Sequence, residues 1–107
     1  MTNLAPAQLA AWLGDTARAK PLLLDVREQW EFQTCRLAES RLVPMGELPG
    51  RIGELDPQTE TVVICHHGGR SLQAAMFLEQ QGFTHVHNLA GGLDAWARSV
   101  DPKMPTY

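Results

Sequence analysis

Short apolar runs alternate along the chain with stretches whose apolar positions recur at helical spacing, and this alternation sets the expected elements. Residues 4–13 predict a helix, with Leu9, Trp12 and Leu13 on one face and Gly14 as its stop. Leu22, Leu23 and Leu24 follow Pro21 as a compact apolar run, the pattern of a strand buried on both faces. Residues 28–34 read as a short helical turn, and residues 41–43 as a strand that Pro44 ends. Gly46, Pro49, Gly50 and Gly53 make residues 46–55 a broken helix, and Asp56 with Pro57 opens a turn. Residues 61–65 are the clearest strand of the chain. Residues 66–70 form a loop, and residues 71–81 a strong helix closed by Gly82. A last strand at 85–89 and a helix at 93–99 complete the pattern, before an extended tail over 101–107. Strands and helices alternating at this density predict an α/β domain with a mainly parallel sheet and helices on both faces.

In such sheets ligands sit outside the carboxyl ends of the strands, which singles out Cys65. The run from Thr61 delivers this thiol to that edge, and the chain then enters Gly68, Gly69 and a helix. The two glycines let the backbone curl so that successive N–H groups point inward. The helix starting near Ser71 adds unpaired N–H groups and the positive end of its dipole. Such donors favour a nucleophilic thiolate or a bound anion. Arg70 stands at the unfavourable end of that dipole, an arrangement that makes sense if an anion lies between its guanidinium and the helix.

The length of 107 residues predicts one domain over residues 1–107 and leaves no room for a separate substrate domain. Nine Lys and Arg against twelve Asp and Glu give a net charge of −3, and the seven arginines are scattered, so nucleic acid is not an expected partner. The apolar runs are too short to span a bilayer, which argues against a membrane partner. The first residues lack a positive region ahead of an apolar stretch and read as a domain start, not a signal peptide. Two cysteines without an export signal point to the cytoplasm, where thiols stay reduced.

Four motifs together resemble the single-domain rhodaneses, a family of thiosulfate-type sulfurtransferases. They are Leu23-Leu-Asp-Val-Arg-Glu28, Glu31-Phe32, Cys65-His-His-Gly-Gly-Arg-Ser71 and Gly91-Gly-Leu-Asp-Ala-Trp96, in the family's order and spacing from about residue 20 to residue 99. The resemblance implies a three-layer fold with a five-stranded, mostly parallel sheet. It makes Cys65 the catalytic residue, carrying sulfur as a persulfide, with His66, His67, Gly68, Gly69, Arg70 and Ser71 forming the binding loop. Asp25 and Arg27 match a signature that supports the loop and pocket. It also implies a small sulfur donor, thiosulfate or a protein persulfide, and a thiol or cyanide acceptor. A sulfur-relay protein is a further expected partner, and no metal or organic cofactor is needed.

Loop length separates two chemistries on this fold. Cys65 to Arg70 is six residues counting both ends, whereas the related phosphatases and arsenate reductases have one residue more and a wider cradle. The narrower ring suits the outer sulfur of a persulfide. The competing readings are a partner-binding module without catalysis, which usually lacks the Cys, and a small phosphatase or arsenate reductase.

Between Glu31 and Pro44 the chain departs from the family, reading Cys35-Arg-Leu-Ala-Glu-Ser40 where glycines are usual. Cys35 there is either a second thiol able to resolve the persulfide or a small residue filling a tight space. His85 and His87 share a strand face, but no Cys-x-x-Cys pair accompanies the histidines, which argues against zinc. His66 and His67 are expected to shape the pocket or tune its charge. Trp12 and Trp96 are expected in the core, and Trp30 at the rim of a pocket.

Overall fold

In the computed structural model, which describes residues 1–107, five strands form one parallel sheet. They are β1 (Thr2–Leu4), β2 (Leu22–Asp25), β3 (Arg41–Leu42), β4 (Thr61–Ile64) and β5 (Val86–Leu89), in the spatial order β1-β5-β4-β2-β3. The helices are α1 (Pro6–Gly14), α2 (Gln29–Thr34), α3 (Leu48–Arg51), α4 (Gly69–Gln80) and α5 (Gly92–Ser99). No helix is long and apolar enough to cross a membrane.

The two runs read as doubly buried strands occupy the sheet centre. β2 and β4 pair from Leu22 with Thr61 to Asp25 with Ile64, so both strands end level and bring Asp25 and Cys65 to one edge. Successive side chains of β4 alternate between faces. Val63 and Cys65 join Leu24, Val26, Leu48, Ala74, Ala75 and Leu78 in the core under α3 and α4. Val62 and Ile64 join Leu9, Trp12, Leu93 and Trp96 in the core under α1 and α5. The three layers expected from the sequence are these two helical faces and the sheet between them.

The elements differ from the expected ones in detail. β1 was not expected: Thr2 pairs with His87 and Leu4 with Leu89, and this edge strand exists through pairing with β5, not through any apolar alternation of its own. The first helix therefore starts at Pro6, a residue pre-set for a first helical turn, and Gly14 is its last residue and not its stop. The broken helix is α3 flanked by single 3-10 turns at Met45–Glu47 and Ile52–Glu54. The fourth helix begins two residues earlier than expected, at Gly69, so Arg70 stands in its first turn and not in the loop. The segment 101–107 turns once, with Met104 N–H donating to Asp101 O at 3.0 Å, and then extends back to the sheet's carboxyl edge.

Candidate active site

Cys65 lies immediately after β4 and is 1% exposed. Its sulfur is not confined to hydrocarbon. Sγ accepts a hydrogen bond from the Gly68 N–H at 3.0 Å and lies 3.3 Å from Ser71 Oγ. Gly68 turns the loop into α4 with φ of 99°, a left-handed conformation, and a Cβ there would press on the Gly91 nitrogen at 3.0 Å.

The loop is held from outside by the start of α5. Leu93 N–H donates to Cys65 O at 2.9 Å and Asp94 N–H to His66 O at 3.0 Å. These are amides that the helix itself leaves without acceptors. Contact this close needs Gly92: a Cβ on it would lie 2.5 Å from Cys65 O and 2.4 Å from His66 O. Because a trans peptide sets C=O and N–H opposite, drawing these carbonyls toward α5 turns the following N–H groups away from it. The glycine pair of the last motif is thus part of the loop's geometry.

Ser71 is buried, and its hydroxyl also reaches Gly68 O at 3.2 Å and the side-chain oxygen of Asn88. A hydroxyl has one proton, so Ser71 can accept from a Cys65 thiol or turn its proton to a thiolate. Asn88 is a functional neighbour that the sequence reading did not single out. From the end of β5 it donates to Asn3 Oδ1 at 3.1 Å, linking the site to β1. An Asn near the carboxyl end of a buried strand was the available signal.

Asp25 and Arg27 form a buried pair at the carboxyl end of β2, both 0% exposed. Arg27 Nε and Nη2 meet both Asp25 oxygens at 2.8–3.1 Å, Nη2 donates to Cys35 O, and Nη1 to Glu31 O. All sides of the guanidinium are engaged, and Asp25 holds its pKa above the usual Arg value against the cost of burial. This pair ties β2 to α2. Glu31 on α2 then grips Arg70 through two parallel bonds, Nη1 to Oε1 at 2.7 Å and Nη2 to Oε2 at 2.8 Å. The hydrogen bonds from Arg70 are the main cause that lowers the Glu31 carboxyl to about 2. The counter-charge facing Arg70 is therefore a carboxylate of the chain itself, with the guanidinium still 40% exposed.

Tyr107 completes the network. Its hydroxyl accepts from Arg27 Nη1 at 2.9 Å and donates to Glu31 Oε2 at 2.8 Å. Burial is the largest cause of its pKa being pushed up to about 12. The ring lies 4.1 Å from that of His66, centroid to centroid, and meets the edge of Trp30, which is 59% exposed.

His66 packs edge-on against His67, and burial followed by the neighbouring His67 charge lowers its pKa. One nitrogen of each ring and an Asp94 oxygen lie within 4.8 Å of one another, but Asp94 is already 3.0 Å from Arg98. His85 and His87 do share a face, at 3.5 and 2.9 Å from Glu60. Cys35 is buried in the core under α1 and α5, on the face opposite Cys65, with Arg27 Nη1 at 3.7 Å from its sulfur. Both thiols are free.

The family described as Rhodanese-like domain matches residues 5–99. The chain is 39% identical over 89 residues to the Arabidopsis thaliana protein named Rhodanese-like/PpiC domain-containing protein 12, chloroplastic, covering 79% of this chain and 30% of that protein. It thus spans less than a third of that relative's length. It is 39% identical over 77 residues to a protein of Allochromatium vinosum named Sulfurtransferase, covering 72% of each. A crystal structure of a rhodanese-related protein from Thermoplasma volcanium superposes with a TM-score of 0.83 at 29% identity, over 94% of both chains.

Proposed function

The chain belongs to the rhodanese-like domain family, and from that membership we propose that it is a thiosulfate-type sulfurtransferase whose residues 1–107 act as one domain carrying sulfane sulfur on Cys65. The Cys65 thiolate attacks the outer sulfur of thiosulfate. A bond forms between Sγ and that sulfur, the donor S–S bond breaks, and its electron pair leaves with sulfite. Cyanide or an acceptor thiolate then attacks the outer sulfur of the persulfide. The pair of the breaking S–S bond returns to Sγ, giving thiocyanate or an acceptor persulfide and restoring the thiolate. No net oxidant or reductant enters the cycle.

The observation that carries this reading is the Gly68 N–H at 3.0 Å from Sγ, in a loop whose Cys65 and His66 carbonyls are drawn outward by α5. Donors fixed before the reaction stabilise charge on sulfur without reorganising when it develops. His66, His67, Gly69 and Arg70 wall the loop around that point, Ser71 becomes a second donor when its proton turns from Asn88 to a thiolate, and Asp25 with Arg27 holds α2 and hence Glu31 against Arg70. The physiological donor is thiosulfate or a protein persulfide, and the acceptor a thiol, including that of a sulfur-relay partner. Free thiols suit a reducing compartment such as the cytoplasm.

A thiosulfate–cyanide assay tests the reading. The wild type forms thiocyanate, while Cys65→Ser keeps its circular dichroism and loses transfer to background. Ordinary turnover by Cys65→Ser contradicts the assignment. Hydrolysis of an aryl phosphate at rates matching cyanolysis would instead favour the phosphatase reading.

A further inference from the structure

Cys65 is 1% exposed, although each half of a sulfur transfer needs an in-line approach to sulfur. None of the three surface cavities is lined by Cys65 or by any residue of its loop. What lies against the loop, at His66, is Tyr107. Its ring lies against His66, the residue next to Cys65, at 4.1 Å and tilted by 31°. On its other side the ring meets Trp30 at 5.3 Å. Its hydroxyl enters a polar slot between Arg27 and Glu31, which are 0% and 4% exposed.

The slot is complete without the phenol. Glu31 keeps both bonds to Arg70, and Arg27 keeps Asp25 and two backbone carbonyls. Withdrawing Tyr107 thus breaks two hydrogen bonds and two ring contacts while the charged network beneath stays paired. A residue whose departure leaves the buried charges paired, on a segment that crosses the sheet edge, can cover a site and leave it.

We propose that Tyr107 is a specificity-determining residue of this site: its ring closes the approach to Cys65 over His66, its hydroxyl latches that position on Arg27 and Glu31, and bulky thiol acceptors reach the sulfur only when it withdraws. The proposal rests on the sulfur-transfer reading for its acceptors, but closure itself is a matter of access to a thiol. Cyanide, small and linear, is least impeded, and a tripeptide thiol such as glutathione most.

The test compares wild type, Tyr107→Phe and Tyr107→Ala in two assays. One follows alkylation of Cys65 by iodoacetamide and by the bulkier N-ethylmaleimide, with peptide mass separating Cys65 from Cys35. The other measures the ratio of glutathione to cyanide turnover after loading with thiosulfate. In Tyr107→Ala both the maleimide rate at Cys65 and the glutathione-to-cyanide ratio rise about tenfold, a barrier change that a general loss of activity would not imitate. Tyr107→Phe, which keeps the ring and loses the latch, falls between and guards against misfolding of the alanine variant. Unchanged maleimide access in both variants, or an unchanged acceptor ratio, overturns the proposal. Faster alkylation in a protein that takes no sulfur from thiosulfate supports closure by Tyr107 and overturns the sulfur-transfer reading instead.

Discussion

The proposed transfer would place a negative charge on Cys65 at the rim of a hydrocarbon core, and the groups that would meet it there are a small set of donors. The Gly68 N–H is fixed by the backbone and aimed at the sulfur before any donor arrives, whereas the Ser71 hydroxyl, which donates to Gly68 O or Asn88 Oδ1, reaches a thiolate only by turning its one proton. Arg70 acts at longer range, because Glu31 occupies both of its terminal nitrogens. Arg70→Ala removes the positive charge and leaves the Glu31 carboxylate facing the mouth. We expect kcat/KM to fall about tenfold for thiosulfate and much less for a neutral sulfane donor, a difference of about 1.4 kcal/mol at the transition state. Equal losses for both donors would show that Arg70 serves only to hold α2.

Cys65 was legible because a thiol, a glycine pair and a helix start follow one another in sequence. The partner of Arg70 was not, since Glu31 lies 39 residues away and pairs across two elements. Cys35 was legible only as an alternative, and in the structure the two sulfurs belong to cores on opposite faces of the sheet. Cys35→Ala is therefore expected to keep sulfur transfer near the wild-type rate, and peptide mapping after oxidation to show no Cys35–Cys65 bridge. A strong loss of transfer would give Cys35 a part in the chemistry.

At the level of elements, the site is a junction of β4, α4 and α5. β4 brings the sulfur, α4 starts beneath it, and α5 pulls the loop carbonyls outward through Leu93 and Asp94. Gly92 is where α5 and the loop touch most closely, and its φ of 62° is one that side chains rarely adopt. Gly92→Ala must displace the loop or the helix start, costing about 1–3 kcal/mol as local strain. The measurable outcome is a lower unfolding midpoint together with loss of sulfur loading, whereas Gly14→Ala, with open space around it, leaves loading unchanged. Wild-type loading in Gly92→Ala would mean that α5 does not shape the loop. The motif containing Gly91 and Gly92 was visible in the sequence, but its reason was not, since a clash with a carbonyl 26 residues earlier leaves no mark on local periodicity. β1 escaped the sequence for a related reason: an edge strand of three residues, two of them exposed, is made by its neighbour.

Across the whole molecule, charge links the sheet to the segment 101–107. Asp25, Arg27, Tyr107, Glu31 and Arg70 alternate in sign or donor role from the end of β2 to the start of α4. Glu31 makes this linkage pH-dependent. Its folded pKa is lowered from 4.5 to about 2, so its contribution is complete above the unfolded value and is lost as pH falls through that interval. With Arg70 40% exposed, the contribution is on the order of 2 kcal/mol after solvent screening. Urea unfolding at successive pH values should show a steeper acid loss of stability in the wild type than in Glu31→Gln. Parallel curves would mean that the pair adds nothing to stability. The fold itself was legible at this scale, because doubly buried strands alternating with amphipathic helices leave few arrangements other than a parallel sheet covered on both faces. The return of Tyr107 to the sheet edge was not, since a polar tail with two prolines carries no periodic signal.

If Cys65 is the sulfur carrier, it takes up and holds one sulfur atom. The most direct measurement is the intact mass of the protein after thiosulfate treatment, followed by peptide mapping and a cyanide chase. Treated protein should carry the added mass of a single sulfur, confined to the peptide containing Cys65 and removed by cyanide. An unchanged mass, or sulfur found on Cys35 in its place, would contradict that role.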